Sequence, residues 1–477
     1  MMSAARMAAV DRNAAALGVS ERQLMESAGA AVARAVREVA DPGAAVAVLA
    51  GLGNNGGDGL VAVRYLDDYD VVTHLLGRPE SITTDAARAN WDALVEADYA
   101  ARTVTDSRDL ALGDPDVVVD GLLGTGISGA PREPERTAVE AINASGATVV
   151  SVDVPSGVDA DTGEAELAVD ADRVVTFHDA KPGLAGIEGA EVTVADIGIP
   201  AAAETFVGPG DLLSLSRPSD SHKGDFGRVL VVGGGPYTGA PALSARAALR
   251  AGADLAYVAA PETVAREIQG YAEDLIVEAL AGGRLGTEHV DWLLERADEV
   301  DVVVLGPGLG EAEETMDAVT EFLAGFDGRA VVDADALSVV PETDTDATLV
   351  CTPHQGELVE MGGPSADDWR ERAPLVEAFA ADLGHVLLVK GAYDVVSDGE
   401  ATRVNRTGNP GMTVGGTGDV LAGATAALLA IEPPLEAASM AAYANGRAGD
   451  LAVEESGYGL LASDLPGRLP EVLWGKR

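Results

Sequence analysis

Near the C-terminus, Asn409-Pro410-Gly411-Met412-Thr413-Val414-Gly415-Gly416-Thr417-Gly418-Asp419 leads into the apolar run Val420-Leu421-Ala422. The pattern predicts a glycine turn that delivers a carboxylate to the first turn of a helix. Glycines at 415, 416 and 418 allow positive φ and let backbone N–H groups point inward, where the positive end of the helix dipole attracts an anion. Phosphate suits such a turn. Asp419, acceptor-only when ionised, is within reach of whatever the anion is attached to, which makes it a candidate base for a hydroxyl. Asp is also a good helix N-cap, but capping does not explain the crowding of glycines.

A second cluster lies near the other end. After the apolar run Ala45–Ala50, Gly51-Leu52-Gly53-Asn54-Asn55-Gly56-Gly57-Asp58-Gly59 packs glycines and polar side chains into one short stretch. Its N–H groups could hold a pyrophosphate while an Asn oxygen holds a cation. Two more polar loops follow apolar runs, Asp120 to Gly126 and Asp153 to Asp159. Asn55, Asp120 and Ser156 would offer oxygens to a hard, weakly demanding cation. Any one of these loops could instead be a tight turn whose Asp caps a helix.

The elements that must position these residues are legible as alternation. Strands are expected at Ala45–Ala50, Asp70–Leu76, Asp116–Asp120, Ala147–Val152, Arg173–Phe177 and Glu191–Val194, with helices at Glu21–Val39, Asp58–Leu66, Thr83–Val95 and Pro134–Asn143. The theme returns with strands near Arg228–Val232, Leu255–Val258, Asp301–Leu305, Ala330–Asp333, Thr348–Val350, Val386–Val389 and Ala401–Asn405. Parallel sheets covered by helices on both faces give this pattern. Periodicity lapses between 200 and 212, so the expected domains are 1–207 and 208–477, each an α/β unit with glycine-rich loops at strand ends.

Composition narrows the function. Lys+Arg is 32 against Asp+Glu 78 in 477 residues, a formal charge of −46, which excludes nucleic acid as a natural partner. The acidity is spread through a chain well patterned for folding, and it resembles that of halophilic archaeal proteins, whose salt-filled cytoplasm screens self-repulsion. The only lysines are Lys181, Lys223, Lys390 and Lys476. The first three stand beside glycine or proline in motif-like stretches and are candidate ligand contacts; Lys476 is expected to be solvated. Cys351, the only cysteine, permits no intrachain disulfide and is expected to be a buried small hydrophobe. Met1 to Leu17 lacks the apolar core of a signal peptide, and no uncharged run could span a bilayer. A cytoplasmic protein without membrane partners is expected.

Leu24-Met25-Glu26-Ser27-Ala28-Gly29, the Gly53–Gly59 run, Asp120 to Gly126, Asp153-Val154-Pro155-Ser156-Gly157 and Lys181-Pro182-Gly183 together closely resemble the NAD(P)H-hydrate epimerase family. The resemblance implies a Rossmann-like three-layer domain with potassium at Asn55, Asp120 and Ser156. It also implies hydrate binding by Asn54, Asn55, Gly56, Gly57 and Asp58, by Gly124, Thr125, Gly126, Ile127, Ser128, Gly129 and Ala130, and by Asp153. Asp153 is the catalytic candidate there, and whether it or Lys181 moves the proton stays open.

In the second half, Ser221 to Gly227, Gly233-Gly234-Gly235, Tyr237 to Pro241, Gly306 to Gly310, Asp333 to Leu337, Thr352 to Glu357 and Lys390 to Asp394, together with the opening glycine turn, closely resemble the ADP- or ATP-dependent NAD(P)H-hydrate dehydratase family. That family is ribokinase-like, which implies a second three-layer α/β domain. The resemblance implies nucleotide contacts from Lys390, Gly391, Ala392, Tyr393 and Asp394 and from Asn409, Pro410, Gly411, Met412, Thr413, Val414, Gly415, Gly416, Thr417 and Gly418. Hydrate contacts would come from Ala240, Gly308, His354 and Asp419. His354 could also be a turn residue with a satisfied ring, and Asp333 and Asp335 read as strand-end caps outside the catalytic set.

Together the two halves imply a bifunctional repair enzyme of haloarchaeal type, an isomerase joined to a lyase, with K⁺, Mg²⁺ and ADP or ATP, NADH and NADPH hydrates as substrates, and a homo-oligomeric assembly. Three other readings compete. A ribokinase-like vitamin-precursor kinase shares the Gly-x-Gly-Asp turn but leaves the first half unexplained. A non-catalytic nucleotide sensor would not need Asp419. A dehydrogenase would need a Gly-x-Gly-x-x-Gly finger followed by a ribose-binding acid, and although Gly51 to Gly56 has the glycine spacing, the next expected strand ends in Leu75-Leu76 without that acid.

Overall fold

The computed structural model describes residues 1–126 and 129–475. Ile127 and Ser128 of the expected hydrate loop, and Lys476, lie outside them. The chain forms two compact units, Met1–Ala203 and Glu204–Arg477. The division falls before residue 207 because Phe206 and Val207 already belong to the second unit. Phe206 stacks edge-on against Trp369 with ring centroids 5.4 Å apart, and the Val207 N–H donates to the Val404 carbonyl at 2.9 Å.

The first unit is built on a seven-stranded parallel sheet: β1 (Ala45–Ala50), β2 (Asp70–Leu76), β3 (Ala101–Val104), β4 (Val117–Gly121), β5 (Thr148–Val152), β6 (Arg173–Phe177) and β7 (Glu191–Ala195), in the order β3-β2-β1-β4-β5-β6-β7. Edge strand β3 escapes a reading of the sequence, since its Arg102 and Thr103 are exposed and leave no apolar run. Strand order reverses between β1 and β4, which opens a crevice at their carboxyl ends, the usual ligand position in such sheets. Val32, Val36, Leu60 and Val61 cover one face, and Ala138, Val139 and Ile142 of the helix Glu135–Ala144 cover the other.

The helix after β1 begins at Asn54, inside the glycine run, rather than after it at Asp58. Close approach explains the glycines: a Cβ on Gly51 would stand 1.9 Å from the Leu122 carbonyl oxygen, and one on Gly56 2.1 Å from that of Gly51. The run brings β1, the loop after β4 and the first helical turn into direct backbone contact.

The second unit carries a nine-stranded sheet: β8 (Arg228–Val232), β9 (Leu255–Pro261), β10 (Ile276–Leu280), β11 (Val302–Leu305), β12 (Arg329–Val332), β13 (Thr348–Cys351), β14 (Val386–Val389), β15 (Asp394–Ser397) and β16 (Thr402–Asn405). Its order is β10-β9-β8-β11-β12-β13-β14-β15-β16; pairing is parallel as far as β14 and antiparallel through the β15–β16 hairpin. The helix Thr417–Leu429 is buried from Val420 to Leu429. It lies against the helix Gly239–Ala251 so closely that a Cβ on Gly423 would stand 1.9 Å from the Ser244 carbonyl oxygen. A helix apolar all round belongs inside. Cys351 is buried in the opposite core, where burial pushes its thiol up to about 12. Among the described residues no helix is long and apolar enough to cross a membrane.

Candidate active sites

In the first unit, β1, β4 and β5 end side by side and bring Asn55, Asp120 and Ser156 together. Asp120, at the end of β4, is fully buried. Its Oδ1 accepts from the Ser156 hydroxyl at 2.6 Å and the Leu122 N–H at 3.3 Å, and its Oδ2 from the Ser151 hydroxyl at 2.8 Å and the Ser156 N–H at 2.9 Å. Leu123 joins the set, donating its N–H to Ser156 Oγ at 2.9 Å and accepting Asn55 Nδ2 at 2.9 Å. Burial raises the Asp120 carboxyl, and its hydrogen bonds from Ser156, Ser151 and Leu122 oppose this without cancelling it. A buried carboxylate served by neutral donors is short of positive charge.

Beyond β5 lies a second constellation. Asp153 has φ 64°, a strained value for a non-glycine residue, and its Oδ1 accepts from the Lys181 ammonium, the Thr176 hydroxyl at 3.0 Å and the Phe177 N–H at 3.2 Å. Lys181 is fully buried and also bonds Thr176 Oγ1 at 3.1 Å and the Phe177 carbonyl at 3.0 Å. Asp58, in the first turn of the helix after β1, is buried, and burial followed by the charges of Asp153, Asp11 and Glu21 holds its carboxyl well above the usual range. Asn54 is tied to Glu21 and, at 2.7 Å, to the Thr84 hydroxyl. Gly124 lies against the Asn55 side chain, with Thr125, Gly126, Gly129 and Ala130 in the loop beyond.

In the second unit, β8, β11, β12, β13 and β14 end in a row, and the turn before the helix Thr417–Leu429 completes the site. Gly416 is the helix N-cap in left-handed conformation, φ 99°, which a side chain would oppose. Asp419 lies one residue beyond Gly418; burial, then the charge of Asp333, push its carboxyl up to about 7 against the opposing pull of Lys390, with Asp335 adding to the rise. Lys390 leaves the end of β14 and reaches the turn: a Cβ on Gly418 would stand 3.3 Å from its Nζ. Its ammonium bonds Asp333 Oδ1 at 2.9 Å and lies 3.7 Å from Glu357 Oε2. Burial alone would weaken this ammonium's hold on its proton, but Asp333 and Glu357 outweigh it and raise its pKa.

The expected hydrate contacts gather at the same sheet end. Gly308 has φ 73°, and a Cβ there would stand 3.4 Å from that of Ala240. Ser244 ties the Ala240 helix to the Asp419 carbonyl at 2.8 Å. The His354 ring caps the helix Gln355–Glu360, its Nδ1 accepting the Glu357 N–H at 3.0 Å, while the side chain stays exposed. His354 is therefore a turn residue with a satisfied Nδ1 and an exposed ring.

A family model described as NAD(P)H-hydrate dehydratase matches residues 229–471, and one described as YjeF-related protein N-terminus matches residues 21–183. The bifunctional NAD(P)H-hydrate repair enzyme Nnr of Methanothermobacter thermautotrophicus is 45% identical over 496 residues, covering 99% of this chain and 95% of that protein. Its counterpart in Pyrobaculum aerophilum is 47% identical over 491 residues, covering 98% and 97%. A crystal structure of a ribokinase-like superfamily protein from Enterococcus faecalis is similar at 27% identity and a TM-score of 0.51, over 56% of this chain and 95% of that one. The chain belongs to the bifunctional NAD(P)H-hydrate repair enzyme family.

As a member of the repair family it is an enzyme with two activity domains, an epimerase domain in the first unit and a dehydratase domain in the second. Within the dehydratase domain the expected nucleotide stretches divide by what their side chains do. Asp394 is turned inward, accepting the Gly391 N–H at 2.9 Å and Asn405 Nδ2 at 2.9 Å, and burial pushes its carboxyl up to about 6. It shapes the Lys390–Tyr393 loop from within, leaving Gly391, Ala392 and the half-open Tyr393 ring at the surface. Asn409 likewise caps its own turn through the Gly411 N–H at 3.0 Å and bonds Asp450 at 3.2 Å. Pro410 to Thr413 follow as a short turn, and Val414 and Gly415 carry the chain to Gly416.

One sequence reading needs correction. Asp333 occupies an N-cap position but makes no capping bond; its carboxylate faces Lys390 instead. Lys223 is exposed. Glu357 and Thr352 entered the sequence reading only as the ends of a motif and Thr176 only as part of a strand, with no site role, because sheet order and not spacing brings them to Lys390, Asp333 and Asp153.

Proposed function

We propose that this chain repairs hydrated NADH and NADPH, the first unit interconverting the R and S hydrates and the second dehydrating the S form at the expense of ADP or ATP. The products are NAD(P)H, phosphate and AMP or ADP. The observation that carries this reading is Asp419, a carboxyl with a pKa of about 7, standing with the Lys390 ammonium at the Gly416–Gly418 turn.

Hydroxide is a poor leaving group from the hydrated ring, and phosphate is a good one. Asp419 takes the hydroxyl proton, and the hydroxyl oxygen attacks the terminal phosphorus of the nucleotide. The bond to the bridging oxygen breaks with its electron pair leaving on AMP or ADP. N–H groups around Gly415 to Gly418 and the Lys390 ammonium face the charge of the transferring phosphoryl group. The C–O bond then breaks towards phosphate with push from the ring nitrogen, and loss of the neighbouring ring proton to solvent restores the reduced cofactor. Ala240, Gly308 and His354 line the hydrate side.

In the first unit, Asp153 is the group that moves the proton, and buried Lys181 holds it in place. Asn54 to Asp58, with Gly124 to Gly126, Gly129 and Ala130, bind the hydrate. Asn55, Asp120 and Ser156 would hold potassium, which supplies the counter-charge that buried Asp120 lacks. Magnesium would accompany the nucleotide and supply positive charge against its phosphates.

The charge of −46 supports a halophilic, cytoplasmic setting. Edge strand β7, with Val192 and Val194 exposed, supports a homo-oligomer. The deciding experiment incubates the protein with mixed hydrates and ADP or ATP in concentrated KCl and follows the return of reduced-cofactor absorbance. No return with either nucleotide refutes the reading.

A further inference from the structure

Asp333 looks like a helix cap in sequence and is not one in structure. It follows β12 and opens the 3₁₀ helix Ala334–Glu342, but no backbone N–H of that helix bonds its side chain. Instead the carboxylate, with 3% of its side chain exposed, turns across the sheet end. Oδ1 accepts both the Thr352 hydroxyl from the end of β13, at 2.7 Å, and the Lys390 ammonium from the end of β14, at 2.9 Å. Oδ2 faces the glycine turn, 3.9 Å from where a Cβ on Gly418 would stand. Three strand ends and the turn thus meet at one buried carboxylate.

A carboxylate beside an anion site carries an electrostatic cost, so it needs a compensating role. Lys390 provides one. A lysine side chain is long and flexible, and an ammonium that must meet a phosphoryl group is more effective if it is already in place. Asp333 and, more distantly, Glu357 restrain it from behind, while its Nζ stays against Gly418. The charged groups acting on Asp419 are Asp333, Lys390 and Asp335, of which Asp333 is the strongest. Asp335 is itself committed to the Gly310 N–H at 2.8 Å.

We propose that Asp333 is a positioning residue of the dehydratase reaction: it holds the Lys390 ammonium against the Gly416–Gly418 turn and sets the charge that Asp419 faces. The proposal rests on the dehydratase reading above. Asp333 touches no reacting atom; it acts through Lys390 and through its field on Asp419, whose proton affinity it raises. A carboxyl with raised proton affinity is a stronger base once ionised.

The test is Asp333→Asn in the full-length protein, with kcat and kcat/KM measured across pH and nucleotide affinity measured by calorimetry. The expected result is a fall in kcat of about tenfold or more with nucleotide Kd changed less than about threefold. The acid limb of the pH profile should also move to lower pH by about half a unit or more, because a neighbouring negative charge is gone. Asp333→Glu should keep the limb in its wild-type position while lowering kcat, since the charge remains but the ammonium is displaced. An unmoved limb in folded Asp333→Asn overturns the proposal. Should that variant fail to fold, wild-type kcat in Asp333→Glu overturns it equally. An infrared titration of the Asp419 carboxyl separates the two levels of inference: a wild-type protein that turns over no hydrate refutes the dehydratase reading and the positioning role with it, while a carboxyl titration that ignores Asp333→Asn refutes the coupling alone.

Discussion

Replacing Asp419 by Asn should make the protein more stable and almost inactive. The wild-type carboxyl is pushed from an ordinary 3.8 up to about 7, chiefly by burial and then by Asp333. One pKa unit corresponds to about 1.4 kcal/mol, so ionising Asp419 in the folded state costs at most about 4 kcal/mol relative to the unfolded chain. Asp419 keeps some contact with solvent, and screening reduces the expected figure to about 1–3 kcal/mol. The sign follows from the proton. The folded state binds it more tightly, so this group's stability is fully present below 3.8 and is lost as pH rises through about 7. Asp419→Asn carries no such proton. Urea unfolding in concentrated KCl should therefore find the variant more stable at pH 8, by about 1–3 kcal/mol, with the gap narrowing towards pH 5. Turnover should fall by about 10²–10⁴-fold, and wild-type kcat/KM should climb about tenfold per unit of pH below 7. A variant that keeps more than about a tenth of wild-type turnover removes Asp419 as the base. A stability gap that is the same at pH 5 and pH 8 would refute the burial argument.

Asp120→Ala should weaken both epimerisation and its dependence on potassium, read as R/S interconversion against KCl concentration; full interconversion at low KCl would count against the cation site. A fragment of residues 1–203 should interconvert hydrates without nucleotide, and one of 204–477 should consume only the S hydrate with ADP or ATP. A second-unit fragment beginning at 208 should be less stable than one beginning at 204 by about 1–2 kcal/mol, because it loses the Phe206 ring from Trp369 and Tyr393; equal melting temperatures would show that the ring adds nothing. Thermal midpoints should rise from dilute buffer to concentrated KCl, since the Debye length falls from roughly 30 Å near 0.01 M to about 3 Å at 1 M. Identical midpoints would refute the halophilic reading of the −46 charge.

What the sequence alone determined is local. Apolar runs such as Val229 to Val232 and Val302 to Leu305 announce buried parallel strands, because a strand covered on both faces needs no alternation. Glycine runs are equally plain, since only a missing Cβ permits the contacts at Gly51, Gly56 and Gly423 or the left-handed cap at Gly416. The turn chemistry around Asp419 was readable for the same reason: a helix start, its dipole and its first carboxylate all lie within a few residues of one another. Edge strand β3 was not, because its exposed positions carry no apolar pattern, and β10, though mostly apolar, is a short run that periodicity alone does not separate from a helical segment.

Only the tertiary structure decided which distant residues share a site. Thr352, Asp333 and Lys390 sit at the ends of three adjacent strands and are brought into bonding distance by sheet order, which no spacing along the chain encodes. It also decided that Asp333 is an ammonium's partner rather than a cap, and that the Asp394 carboxylate turns inward to Gly391 and Asn405. Burial, which sets the proton affinities of Asp58, Asp120 and Asp419, is likewise a property of the packed molecule. A carboxylate's chemistry depends on what surrounds it, and in a parallel sheet those surroundings come from strands far apart in the chain.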